Sequence, residues 1–332
     1  MRVLWSLQLV QRYFGVLLTV LLFGVLPGCG SGAADSAAAS AERPDSGEAA
    51  GVLPAEGKTA EGKTAEGKTA EGKSASAAAG FITVTPQELR RRLNCYQAEF
   101  QMQGTEIVEV SLFQTGIRDI SALRGLPLRA VDLGMTQVTD LSALQGMSLE
   151  RLDLENVPVT DLRVLSGMPL KVLKMQKSKV TDFAVLGGLR LEQLNVLDLP
   201  FADGDLQYLR DAPLETIWLA GTKVTDIAGL PLGGLKSLDI ERTAVSSLAP
   251  LSGCQQLVRL NIAESAVTDV SPLQGLRLQR MTLTPERITA GMEVLRGMAS
   301  LKQIQTSINE PMSAADFWKR YDLGVYRPQE VK

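Results

Sequence analysis

Leu128-Arg129-Ala130-Val131-Asp132-Leu133-Gly134-Met135-Thr136-Gln137-Val138-Thr139-Asp140-Leu141-Ser142-Ala143-Leu144-Gln145-Gly146-Met147-Ser148 is one turn of a pattern that the chain repeats. Counted from its first residue, apolar side chains recur at the fourth place (Val131, Leu152, Leu173, Leu194, Ile217, Leu238, Leu260), the sixth (Leu133, Leu154, Met175, Leu219, Ile240, Ile262) and the eleventh (Val138, Val159, Val180, Val224, Val245, Val267). Nine segments share the frame, opening at Ile107, Leu128, Leu149, Leu170, Leu191, Leu214, Leu235, Leu257 and Leu278, at intervals of 21, 21, 21, 21, 23, 21, 22 and 21 residues. A chance match would lose register within two or three turns.

The spacing dictates the architecture. Alternating apolar residues at places four to six make a short strand with one face inward, and parallel strands stacked about 4.8 Å apart bury together a core that no single turn could bury alone. A turn of 21 residues leaves too little chain for a full helix on the return side, so turns or 3₁₀ segments are expected there. This is a leucine-rich repeat. The fold class is an α/β repeat solenoid, a curved parallel sheet with a 3₁₀ and turn convex side and short capping helices, and it accounts for 50 leucines in 332 residues.

Polar residues recur in the same frame. The thirteenth place holds Asp119, Asp140, Asp161, Asp182, Asp203 and Asp226, then Ser247, then Asp269. Seven spaced carboxylates invite a calcium or acid-base reading, but Gly-rich calcium turns are missing and Ser247 fills the same slot, so structural caps for exposed N–H groups are expected. At the ninth place Thr115, Thr136, Ser178, Thr222, Thr243 and Ser265 supply hydroxyls for the turn backbone, with Val157 and Leu199 as exceptions. Thr85-Pro86-Gln87-Glu88 reads as a capping box that starts a helix with Leu89 and Leu93 on one face. Pro311 to Asp316 offers a second start, after which Phe317 and Tyr321 lie one turn apart.

Val138-Thr139-Asp140-Leu141-Ser142-Ala143-Leu144, with its near copy Val267-Thr268-Asp269-Val270-Ser271-Pro272-Leu273, resembles the repeats of internalins. The cadence, with Gly-Met-Pro-Leu at Gly167 to Leu170, is similar to repeat proteins and kinase-associated repeat tails of planctomycete-type bacteria, where a segment like Phe317-Trp318-Lys319-Arg320-Tyr321-Asp322 closes the array. The resemblance covers roughly residues 93 to 325 and implies fold and, loosely, protein interaction.

The first 28 residues carry Arg2 and Arg12 and an apolar run from Tyr13 through Leu26, about 14 residues against the roughly 20 that a spanning helix needs. A signal peptide is the reading. Leu26-Pro27-Gly28-Cys29 resembles the lipobox of bacterial lipoproteins, which implies lipidation at Cys29, although Pro27 departs from the small residue usual there. An ordinary cleaved signal and an uncleaved anchor are the alternatives. Gly30 follows Cys29 where an inner-membrane retention signal would carry Asp, so the resemblance implies the outer membrane of a cell envelope, facing periplasm or exterior. Residues 29 to 80 are Ala-, Gly-, Glu- and Lys-rich, lack aromatic side chains and repeat the pentad Ala-Glu-Gly-Lys-Thr from Ala55, which reads as a disordered tether. Gly57 to Thr64 satisfies the phosphate-loop pattern only because of that repeat. Neither an apolar run nor helical periodicity flanks its glycines, so no nucleotide is expected. Beyond the tether, residues 81–106 form an N-terminal cap, 107–300 nine coils and 301–332 a C-terminal cap.

Histidine is absent, which excludes Ser-His-Asp and Cys-His catalysis and His-containing zinc centres. A formal charge of -3 gives no general attraction to nucleic acid. No cofactor and no metal are expected, and the chain reads as a non-enzyme. Cys95 and Cys254, six coils or roughly 30 Å apart, cannot bridge. The third, fifth and seventh places of each coil face the concave side. Lys171, Lys174, Lys177 and Lys179 form a basic stripe that Glu150 and Asp153 of the preceding coil answer in register. Leu197 and Trp218 are diagonal apolar neighbours there, either an exposed anchor or a residue buried beneath the irregular 23-residue coil. Leu197, Trp218, Asp153 and Lys174 are therefore the candidate contacts for a protein or peptide, the alternative being an envelope protein without a specific partner.

Overall fold

The computed structural model describes residues 84–326. The chain divides into two units at residue 78, and only the second is described. The signal segment, Cys29, the pentads and the phosphate-loop look-alike lie outside the described residues.

Eleven strands form one sheet in strict sequence order. After β1 (Glu99–Gln103) and β2 (Glu106–Ser111) come three-residue strands: β3 Ala130–Asp132, β4 Arg151–Asp153, β5 Val172–Lys174, β6 Gln193–Asn195, β7 Thr216–Trp218, β8 Ser237–Asp239, β9 Arg259–Asn261, β10 Arg280–Thr282 and β11 Gln303–Gln305. From β2 to β11 every pairing is parallel and in register, so the fourth-place residues form a single file, Val110, Val131, Leu152, Leu173, Leu194, Ile217, Leu238, Leu260, Met281 and Ile304. All ten are buried, as are the sixth-place residues from Leu112 to Leu283. The return side is built from short 3₁₀ segments such as Ser121–Leu123, Ser142–Leu144 and Arg163–Leu165, except in the 23-residue ninth coil, where the extra chain leaves room for a five-residue α-helix, Met292–Arg296, against the expectation of turns and 3₁₀ segments alone. This is the leucine-rich-repeat solenoid that the spacing predicts.

The N-terminal cap holds a strand the spacing did not announce, and the boundary of the C-terminal cap differs from the sequence expectation. The N-terminal cap holds a helix, α1 (Pro86–Leu93), but it also contains β1, which pairs antiparallel with β2 and closes that edge of the sheet. Alternation across residues 99–103 is weak, with only Phe100 packing toward the core, so the strand left no periodic mark. At the far end residues 301–305 are not cap. Leu301 and Ile304 turn inward and β11 pairs in parallel with β10, making a tenth coil that starts 23 residues after Leu278.

Each of the first eight coils reverses at its eighth place through a left-handed residue: Gln114, Met135, Asn156, Lys177, Asp198, Arg242 and Glu264 all have φ between 52° and 60°, and Gly221 has 66°; the ninth coil has Pro285 there and turns through a 3₁₀ segment instead. Non-glycine residues pay about 1–2 kcal/mol for that conformation, and here the ladder bonds on either side impose it. Gly221 occupies the eighth place of the sixth coil for a steric reason as well. A Cβ there would sit 2.3 Å from Asp198 Oδ1, because Arg242 Nη2 reaches across this coil to Asp198, 3.1 Å away.

Thr115, Thr136, Thr222, Thr243 and Ser265 at the ninth place each donate to the carbonyl three residues back, at 2.6–2.7 Å. The bonds close turns within a coil; they do not run between coils. The hydroxyl of half-buried Ser178 is shielded from solvent without such a partner, and Val157 and Leu199 bury apolar side chains in the same slot.

Thr85 Oγ1 accepts from Glu88 N–H, 3.2 Å, but the reciprocal half of the expected capping box is replaced: the Glu88 carboxylate engages Arg91 and Arg92. After α2 (Met292–Arg296), α3 (Ala314–Asp322) starts at Ser313, whose Oγ accepts from Asp316 N–H. Phe317 is fully buried against the last coils and stacks with Tyr321 and Tyr326. Arg296 lies 4.6 Å above the Trp318 ring and pairs with Asp322 at 2.5 Å.

Candidate functional site

The alternation that sends places four and six inward leaves places three, five and seven on the open side of the sheet. Five of the fifth-place side chains have a local task that the sequence reading missed. Asp132, Asp153, Asn195, Asp239 and Asn261 each accept, through Oδ1, the N–H two residues on, at 3.0–3.1 Å. These Asx turns end the strands and lead into the left-handed residue three places after the acceptor. The recurrence of Asp or Asn at one place of the frame was the available signal.

The four candidate contacts fall on consecutive coils, from the third to the sixth. Asp153 and Lys174 are register partners, and Lys174 Nζ stands 3.5 Å from Asp153 Oδ2. Lys174 is buried, only 9% exposed, so this pair spends its charge within the sheet. Lys171 and Glu150 pair beside it at 3.1 Å. Burial, with the Asp153 charge next, raises the Glu155 carboxyl above its ordinary value, and Lys174 partly offsets both.

Leu197 and Trp218 lie on the next two coils, with Trp218 in register between Asn195 and Asp239. Both are half-buried. The two extra residues of the fifth coil do not fold over the indole. They lengthen the return side into a 3₁₀ segment, Asp203–Leu209, whose Leu206 and Leu209 are core. Phe201 goes the same way and meets Phe183 edge-on at 4.9 Å. The irregularity is therefore spent on the far side of the sheet and leaves Trp218 on the open face.

Asp239, beside Trp218, is the most perturbed carboxyl of this face. Burial pushes it up to about 6 and the Glu241 charge adds to that, against hydrogen bonds from Glu241 N–H and Asn261. Asn261 Nδ2 also donates to Glu241 at 2.8 Å.

The thirteenth-place acids sit on the return side. Asp119, Asp140, Asp161, Asp182, Asp226 and Asp269 each accept the N–H two residues ahead, at 2.7–3.0 Å, and Ser247 does so with its hydroxyl at 3.2 Å. Asp161 is held at about 2 by Arg163. Asp203 departs from the expected cap. It accepts from Thr225 N–H, Thr225 Oγ1 and Asp226 N–H of the next coil at 2.7, 2.5 and 3.1 Å, because Asp205 has taken over the start of its own segment by accepting from Ala202 N–H. No group of three or more metal-binding side chains occurs among the described residues, and Cys95 and Cys254 are buried and free.

No family model matches the chain, and no curated protein matches it. Solved structures do. Internalin C2 of Listeria monocytogenes is 23% identical over 59% of this chain and 90% of its own, with a TM-score of 0.46. A second internalin of that organism is 19% identical over 67% and 89%, with the same TM-score. A leucine-rich-repeat protein of Leptospira interrogans is 15% identical over 63% and 62%, with a TM-score of 0.38. The repeat geometry itself carries the fold. No helix among the described residues is long and apolar enough to cross a membrane.

Proposed function

We propose that the chain is a non-enzymatic leucine-rich-repeat scaffold that binds a protein or peptide on the open face of its sheet, with Leu197 and Trp218 as anchors. Repeat solenoids commonly present such a face to partners. The observation that carries the reading is the half-buried Trp218 on a face that the irregular fifth coil leaves uncovered. A Trp in that setting supplies about 2 kcal/mol or more when a partner desolvates it. Asp153 and Lys174 flank the anchors as a compensated pair, a polar rim that shapes the face more than it attracts.

Acrylamide should quench Trp218 in the free protein and quench it less when a partner captured from envelope extract is bound. A folded Trp218→Ala variant should bind that partner at least tenfold more weakly, which corresponds to about 1.4 kcal/mol. A variant that melts as the parent does and binds with unchanged affinity would sink the assignment. A face with no stoichiometric partner would favour the structural alternative.

The lipobox-like Leu26-Pro27-Gly28-Cys29 supports a lipid anchor at Cys29 and a place at the bacterial cell envelope, on the outer rather than the inner membrane. Mass spectrometry of the N-terminal peptide should find a diacylated Cys29 as the first residue. An unmodified Cys29 in a chain that still carries Met1 would refute the anchor.

A further inference from the structure

Several cations at the second and third places of the coils meet an acid at the same place of a nearby coil, and none does so near the C-terminal end. Lys171 pairs with Glu150, Lys236 with Glu215 at 2.6 Å, and Arg151 with Glu109 two coils away. In the last three coils the same places read Val258 and Arg259, Gln279 and Arg280, Lys302 and Gln303, with no acid among them. The fifth and seventh places there, Asn261, Ala263, Thr282, Thr284, Gln305 and Ser307, add none. Arg259 and Arg280 are register partners on β9 and β10, a like-charge juxtaposition that costs stability in a sheet. All three cations are exposed, and no ion pair among the described residues involves them.

These cations line one pocket of about 650 Å³ together with Gln279, Gln303 and Met312, the last just before α3. Arg280 Nε is fixed by Gln303 Oε1 at 2.7 Å, which orients the guanidinium and leaves its terminal N–H groups to a ligand. The nearby acids do not fill the pocket: Glu310 is exposed, and Asp316 accepts from the Ser313 hydroxyl at 2.7 Å.

We propose that this pocket receives an acidic polypeptide segment whose carboxylates meet Arg259, Arg280 and Lys302. The dimensions favour a chain over a lone small anion. Arg259 on β9 and Lys302, the residue before β11, are separated by two strand spacings, about 10 Å, more than one phosphate can bridge. Alternate side chains of an extended peptide are spaced about 7 Å, between the one and two strand spacings that separate these cations, so two carboxylates, two residues apart, can each meet one of these long, exposed side chains, and Met312 offers the intervening residue an apolar contact. The pocket stands independently of the Trp218 anchor.

The test is a titration of the full chain with fluorescent hexaglutamate, against hexaglutamine and inorganic phosphate. Hexaglutamate should bind and raise the melting temperature, hexaglutamine should not, and phosphate at equal concentration should not displace it. Arg259→Gln with Arg280→Gln should weaken binding at least tenfold while leaving the free protein at least as stable as the parent, since a repulsion is removed. Lys171→Gln with Lys236→Gln should leave the affinity within twofold, and Trp218→Ala should leave it unchanged, which separates this site from the other. Equal binding of hexaglutamine, displacement by phosphate, or an equal loss in the Lys171 and Lys236 variant would each overturn the proposal.

Discussion

Asp239 holds its proton more tightly than an ordinary aspartic acid, and the cause sits one strand away on either side. Its carboxyl is half-buried between Trp218 and Asn261, and burial moves it from 3.8 to about 6. Between those values the folded chain keeps a proton that the unfolded chain has released. Stability from this group is therefore full below about pH 4 and is lost as the pH rises through about 6. Asp239→Asn keeps the acceptor for Glu241 N–H and removes the buried charge. Urea midpoints should show the variant more stable than the parent at pH 7 and equal to it at pH 4. A difference that does not change with pH would show that the carboxyl is not strained at neutral pH.

At the scale of elements, the return segments show one residue type doing two jobs. Asp140 caps its own 3₁₀ turn and, among the described residues, its carboxylate bonds only with Ser142, so Asp140→Ala should cost about 1 kcal/mol. Asp203 ties the fifth coil to the sixth through three donors, and a carboxylate so engaged contributes about 1.5–3 kcal/mol. Asp203→Ala should therefore cost clearly more than Asp140→Ala in urea denaturation. Equal losses would mean that the coils are held by their core alone. Both acids occupy the thirteenth place, so spacing could not separate them. The separation follows from where two inserted residues went, which is a packing outcome.

Across the array each strand pairs only with its neighbours, and side-chain contacts that skip a coil, such as Arg151 with Glu109 and Arg242 with Asp198, are few, so the ends decide how far the array frays. Phe317 is fully buried at one end, held by Tyr321 and Tyr326 in an aromatic stack. Phe317→Ala should cost about 3–5 kcal/mol where it acts. Hydrogen exchange should then rise in α3 and β11 while β4 to β7 stay protected. A uniform rise along the sheet would show that the solenoid melts as one unit rather than from its end.

Much of this was readable from the chain alone, because a repeat states its own geometry. A period of 21 residues with inward places at four, six and eleven determines parallel strands, their register and the lack of room for return helices, and register in turn brings Asp153 to Lys174 and Leu197 beside Trp218. The tertiary structure decided what periodicity does not encode. The β1 strand has no inward alternation and exists because β2 offered an open edge. The tenth coil begins at a 23-residue spacing and becomes visible only when Leu301 and Ile304 enter the core. Trp218 depended on the side of the sheet to which the fifth coil's extra chain would go, and burying Phe201, Leu206 and Leu209 drew it to the return side. The unanswered cations Arg259, Arg280 and Lys302 lie 21 or more residues apart, and only stacking makes them neighbours. Local spacing specifies each coil, whereas what an irregular residue meets depends on the free energy of burying it against coils far along the chain.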